Sequence, residues 1–169
     1  PQGDLNIPAA EEPFATFIEN ALAKARHASQ ASGLPALADD SGICVSSLLD
    51  APGIYSARYA GVGASDQENN TLLIKNLKGI ENRSARYVCA LVLLKHPTDP
   101  EPIVVSAQLS GQIIDEAKGN GGFGYDPHFY LPSYKQTIAQ LSAEEKNTMS
   151  HRAIASKLLL QALMDQASW

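Results

Sequence analysis

No stretch of the 169 residues reaches the roughly 18 consecutive apolar positions a membrane-spanning helix needs, so no membrane span is expected. Cysteine is scarce. Cys44 and Cys89 sit inside apolar runs with no C-x-x-C spacing, the pattern of buried thiols in a reducing, cytoplasmic setting. Positive charge is also in deficit: thirteen Lys plus Arg face eighteen Asp plus Glu, a formal charge of −5, which excludes a broad basic face for coating nucleic acid. A small anion held by a few converging cations stays possible. G-x-S-x-G, H-E-x-x-H and any Cys–His pattern are missing, so nothing recommends a nucleophile for covalent catalysis. Internal repeats and low-complexity linkers are absent too. The chain opens on Pro1 rather than Met, without a basic-then-apolar leader; no signal peptide is expected, and the native start is expected upstream.

What is present is ordinary for a globular chain, with 44% hydrophobic and 18% charged residues. The length suits one domain with room for two lobes. Phe14, Phe17, Ile18, Ala21, Leu22, Ala25 and Ala28 follow the helical period, and Thr16 with Glu19 has capping-box form. A helix is therefore expected over about 16–31, stopped by Gly33 and Pro35. Pro-Ala-Leu-Ala then reads as a short buried strand that ends at Asp39 and Asp40. The stretch 65–80 predicts a second, shorter helix. The stretch 86–95 predicts a buried strand, and the alternation of Ile103, Val105, Ala107 and Leu109 a half-buried one. The turn-rich HPTDPEP between them points to an antiparallel pair. The last helix should carry Ile154, Leu158, Leu159, Ala162 and Leu163. These elements predict an α/β domain over residues 1–169, with a central mixed, partly antiparallel sheet flanked by helices.

Three stretches can carry chemistry. The pair Asp39-Asp40 in ADDSG has no Lys or Arg within ten residues in the chain. It is either a solvated Asx-type turn or a place where something positive binds. Carboxylates at a strand end suit Mg²⁺, which takes a few carboxylates together with water and substrate phosphates, and Asp40 could orient or deprotonate an activated water. Alternation along the strand allows at most one of the two to point straight into a given pocket. The second stretch, GNGGFGYD, lets backbone N–H groups approach an anion or a flat ring, or else is a hairpin turn whose glycines only supply positive φ; it is neither G-x-G-x-x-G nor a P-loop. The third, EEKNTMSHR, places Lys146, His151 and Arg152 at the entry to the last helix. Basic residues there oppose the helix dipole unless an anion neutralises them, and the alternative is a solvated helix start. Together they suit metal-assisted attack of water on a phosphoryl group.

FIENALAKARHA, ADDSG, APGIYSARYAG, GGFGYDP and EEKNTMSHR, in this order and at these separations, resemble the Ham1/RdgB family of inosine/xanthosine triphosphate pyrophosphatases over nearly the whole chain. The resemblance implies an elongated, two-lobed α/β fold and a cytoplasmic homodimer. It implies Mg²⁺-dependent hydrolysis of ITP, dITP and XTP to monophosphate and pyrophosphate, cleansing the nucleotide pool, with water attacking the α-phosphorus. Asp40 is then proton acceptor and metal ligand, with Ser41 beside the substrate. A second metal carboxylate falls to Glu11 or Glu12, Glu11 fitting better by spacing. Phe123, Gly124, Tyr125 and Asp126 are assigned to the nucleotide, the Phe stacking on the base, and Lys146, His151 and Arg152 are further substrate contacts. The family pattern begins with a strand and a T/S-G-N-x-x-K loop, and nothing like it precedes Pro1. The strand and part of the phosphate site are thus expected upstream of residue 1. Two other readings stay open: a purine-nucleotide-binding module without catalysis, and a pyrophosphatase for another nucleotide.

Overall fold

A computed structural model of the chain describes residues 2–165. Helix α1 spans Phe17–Ser32, and its ends are those the local chemistry dictates. Thr16 Oγ1 accepts the Glu19 N–H at 3.2 Å, and Gly33, at φ +71°, gives its N–H to the Ser29 carbonyl at 2.8 Å. Strand β1 follows over Ala36–Val45, and Gly53–Arg58 forms a 3-10 turn. Helix α2, Asp66–Asn76, opens on a complete capping box between Ser65 and Glu68. Strands β2 (Ser84–Leu94), β3 (Ile103–Ile113), β4 (Phe129–Leu131) and β5 (Gln136–Thr137) come next, then helices α3 (Ala143–Met149) and α4 (His151–Asp165).

The strands form one antiparallel sheet in the order β1-β2-β3-β4-β5, flanked by helices. The antiparallel pairing expected for part of the sheet runs through it. The chain divides into two compact units. One holds the described residues up to Ser41, Cys89–Ala107, and those from Arg152 on; the other holds Gly42–Val88 and Gln108–His151.

In the first unit β2 is covered on both faces. Ala90, Val92 and Leu94 pack with Ala21 and Ala25 of α1, while Cys89 and Leu91, pointing the other way, pack with Ala155 and Leu159 of α4. Alanines at i and i+4 give α1 a flat face. The second unit has one larger core, built from Ile43, Val45, Leu73, Leu77, Tyr87, Phe129 and their neighbours. Both cysteines are free and buried.

Two expectations need correction. β1 does not stop at Asp39-Asp40 but continues to Val45, because Ser41 and Gly42 stay extended and Ile43, Cys44 and Val45 are buried. No turn is needed to separate the two carboxylates; strand alternation does it. The EEKNTMSHR stretch is two helices rather than the entry to one. Ser142 makes its capping box with Glu145 on α3, and Ser150 turns extended, at ψ 157°, before α4 begins. Lys146 thus belongs to α3, whereas His151 and Arg152 open α4.

Candidate active site

The first unit gathers the acidic cluster. Asn20 and Lys24 stand four residues apart, on one face of α1. Asn20 is fully buried and grips the segment before the helix: its Oδ1 accepts the Phe14 N–H at 3.0 Å and its Nδ2 donates to the Phe14 carbonyl at 3.2 Å. That grip holds the extended stretch that carries Glu12. Lys24 Nζ pairs with Glu12 Oε1 at 2.6 Å, donates to Asp40 Oδ1 at 2.8 Å and reaches the Asp39 carbonyl at 3.2 Å. Among the described residues Asp40 Oδ2 receives only a long hydrogen bond from Asn20, at 3.5 Å. Asp39 turns away from this group. Its Oδ2 accepts from Arg152 through Nε and Nη2, both at 3.2 Å, and from Ser41 Oγ at 3.3 Å.

The electrostatics follow from burial. Asp40 is 7% exposed, and loss of water pushes its carboxyl above the usual range, the bond from Lys24 offsetting part of that push. Burial alone would lower Lys24, but its bonds to Asp40 and Glu12 outweigh that and hold the ammonium charged. Two carboxylates therefore converge on one cation. Of the two candidates before the helix, Glu12 is the one paired with Lys24, while Glu11 is exposed.

Among the described residues no three His, Cys, Asp or Glu side chains form a metal cage. Two carboxylates nonetheless match the donor set for Mg²⁺, which is commonly held by one or two carboxylates plus substrate phosphates and water. The Lys24 ammonium, drawn between Glu12 and Asp40, marks where positive charge is favoured.

The second unit gathers the aromatic cluster around Asp126, which is 2% exposed. Its Oδ1 accepts from Tyr87 Oη at 3.1 Å, and its Oδ2 accepts from the Phe123 N–H at 3.0 Å and from Lys146 Nζ at 2.5 Å. Three donors surround one carboxylate. Lys146 Nζ also lies 4.5 Å from the centre of the Phe123 ring. His151 stacks on Tyr87, ring centres 4.7 Å apart and planes 8° from parallel. Tyr125 is buried, donates to the Ser56 carbonyl at 2.8 Å, and has its phenol pushed up by that burial. Gly122 is required twice over: its φ is +79°, and a Cβ there would collide with the Asp126 carboxylate. The glycines of GNGGFGYD thus supply both the turn and the room for a buried acid.

The sequence-predicted residues fall into two sets. Asp40 and Ser41 belong to β1, with Arg152 bound to Asp39; Phe123, Gly124, Tyr125, Asp126, Lys146 and His151 belong to the second cluster. Asn20, Lys24 and Tyr87 went unseen in the sequence reading. The first two had a signal, a polar pair at i and i+4 beside an alanine stripe; Tyr87 had none, since in a buried strand it reads as core.

A sequence model of the Ham1 family matches residues 2–162. A dITP/XTP pyrophosphatase from Ralstonia nicotianae is 57% identical over 166 residues, covering 96% of this chain and 83% of that protein. One from Nitrosomonas europaea is 56% identical, covering 97% and 81%. Among solved structures, a HAM1 protein from Coxiella burnetii superposes with a TM-score of 0.94 at 43% identity, covering 98% of this chain and 85% of that one.

Proposed function

The chain belongs to the Ham1 family, and from that premise we propose that it hydrolyses non-canonical purine nucleoside triphosphates such as dITP, ITP and XTP to the monophosphate and pyrophosphate. The observation that carries this reading is the convergence of Glu12 and Asp40 on Lys24. Glu12 and Asp40 are the carboxylates that would hold Mg²⁺, which when bound neutralises phosphate charge and acidifies water. Water attacks the α-phosphorus, the bond from that phosphorus to the bridging oxygen breaks, and pyrophosphate departs with the oxygen. Asp40 takes the proton of the attacking water. Lys24 holds Asp40 by Oδ1, leaving Oδ2 the more weakly bonded oxygen for the proton.

Base stacking falls to the second cluster. Phe123, 58% exposed, offers a stacking face, and Lys146 and His151 stand as substrate contacts around Asp126. Hypoxanthine and xanthine carry a carbonyl at C6 where adenine carries an amino group. Donors such as Arg152 and backbone N–H groups accept the first and leave the second unmatched, a difference of about 1–3 kcal/mol per buried group.

The protein acts as a cytoplasmic homodimer in this reading, with the segment around APGIYSARYAG at or near the interface. Tyr55 and Val62 are exposed there, 57% and 96%, and sedimentation tests it: a monomer at micromolar concentration sinks the dimer. Among the described residues no helix is long and apolar enough to cross a membrane.

The test of the activity is incubation with dITP, ITP, ATP and GTP, with and without Mg²⁺, and identification of the products. Mg²⁺-dependent pyrophosphate from dITP and ITP, well above ATP and GTP, is the expected result. Phosphate plus diphosphate, or nucleotide binding without turnover, overturns it.

A further inference from the structure

Within the second unit the first turn of α2 takes hold of one glycine of the nucleotide stretch by both of its backbone groups. Asp66 Oδ2 accepts the Gly124 N–H at 2.6 Å, and Asn70 Nδ2 donates to the Gly124 carbonyl at 2.8 Å. Gly124 lies between Phe123 and Tyr125 at φ +58°, so a two-point grip on its peptide groups sets the backbone from which Phe123 projects. The orientation of Asn70 is fixed by its partners. Nδ2 faces two carbonyls, those of Gly124 and Asp66, each at 2.8 Å, and only the amide nitrogen can serve both.

Two observations say that this grip is more than packing. Asn70 is 7% exposed, and its Oδ1 is buried with no hydrogen-bond partner, a cost that a leucine would not carry. Beside the grip lies an open cleft of about 640 Å³, lined by Asp66, Asn70, Gly121, Gly122, Phe123 and Gly124. Where the glycine stretch faces this cleft, the hydrogen bonds from α2 restrain its backbone.

We propose that Asp66 and Asn70 are positioning residues for base recognition: they act through the Gly124 backbone to hold the Phe123 ring where a purine stacks. This rests on the assignment of Phe123 to the base. The grip should then govern how well substrate binds rather than how fast the bound phosphate reacts.

The test is steady-state kinetics with dITP on the full chain and on Asp66→Ala, Asp66→Asn and Asn70→Asp. Asp66→Ala removes the acceptor, Asp66→Asn keeps a carbonyl oxygen for the Gly124 N–H, and Asn70→Asp turns a carboxylate oxygen toward two carbonyls. We expect KM to rise about tenfold in Asp66→Ala and Asn70→Asp with kcat within about twofold, each lost hydrogen bond being worth about that factor. Asp66→Asn should recover most of the KM. Asp66 is on the surface, so its variants test the idea even if Asn70→Asp fails to fold. Unchanged KM with a lowered melting temperature, or KM and kcat falling together without recovery in Asp66→Asn, overturns the proposal. If the unaltered chain does not hydrolyse dITP, the pyrophosphatase reading itself falls; if it does and the variants match it, only this inference falls.

Discussion

The two clusters hold their acids in opposite ways. Around Asp40 the network stays open to water: the side chains of Lys24 and Glu12 are 24% and 27% exposed, and those of the neighbouring Arg152–Asp39 pair are nearly half exposed. The Asp126 carboxylate is sealed, its side chain 3% exposed and held by donors from β2, the glycine stretch and α3, of which Lys146, 22% exposed, keeps access to water. The first arrangement lets charge and protons be exchanged. The second fixes a shape. The two arrangements rest on different hydrophobic cores.

The sharpest way to break this contrast is Asp40→Asn. If Asp40 is the base, kcat for dITP should fall by about 10²–10⁴-fold with the circular dichroism spectrum unchanged. Activity within a few-fold of the parent would move the base elsewhere. Next in size is Asp126→Asn, which leaves the Lys146 ammonium facing an amide. It should cost about 1–3 kcal/mol in urea unfolding, because a charge-assisted hydrogen bond to a sealed carboxylate is lost while the 22% exposed Lys146 keeps some hydration. A loss under about 0.5 kcal/mol would mean that the second cluster is not the rigid member of the pair.

A pH series sharpens the comparison further. In the chain without divalent cation, burial raises the Asp40 carboxyl above the ordinary aspartate value near 3.8. A raised carboxyl in the folded state binds its proton more tightly than the unfolded chain does, so its contribution is most favourable below 3.8 and declines as pH rises through the folded value. Asp40→Asn should flatten that decline in a urea series; a parallel slope in the parent and the variant would contradict it. The smallest expected effect is in Arg152→Ala, where the ratio of kcat/KM for ITP over ATP should fall by about tenfold. An unchanged ratio places base discrimination in other donors.

Much of the frame was legible because it is local. Thr16, Glu19 and Gly33 mark the ends of α1, and the alternation in 103–113 is that of β3. What escaped was everything decided at long range. Nothing near Asp39 and Asp40 in the chain tells that Lys24, sixteen residues before Asp40, and Arg152, one hundred and thirteen after Asp39, supply their counter-charges. Which of Glu11 and Glu12 meets Lys24 depends on the path of the segment before α1, part of which Asn20 fixes through Phe14. The break at Ser150 was hidden because its neighbours carry ordinary helix formers on both sides.

The crowding at Gly122 makes the second cluster sensitive to handedness. An L-alanine there would point its methyl at the Asp126 carboxylate and would resist a φ of +79°, whereas a D-alanine introduced by ligation adopts positive φ naturally and carries its methyl on the opposite side. Achirality, rather than smallness alone, is what this position demands of the twenty genetically encoded residues.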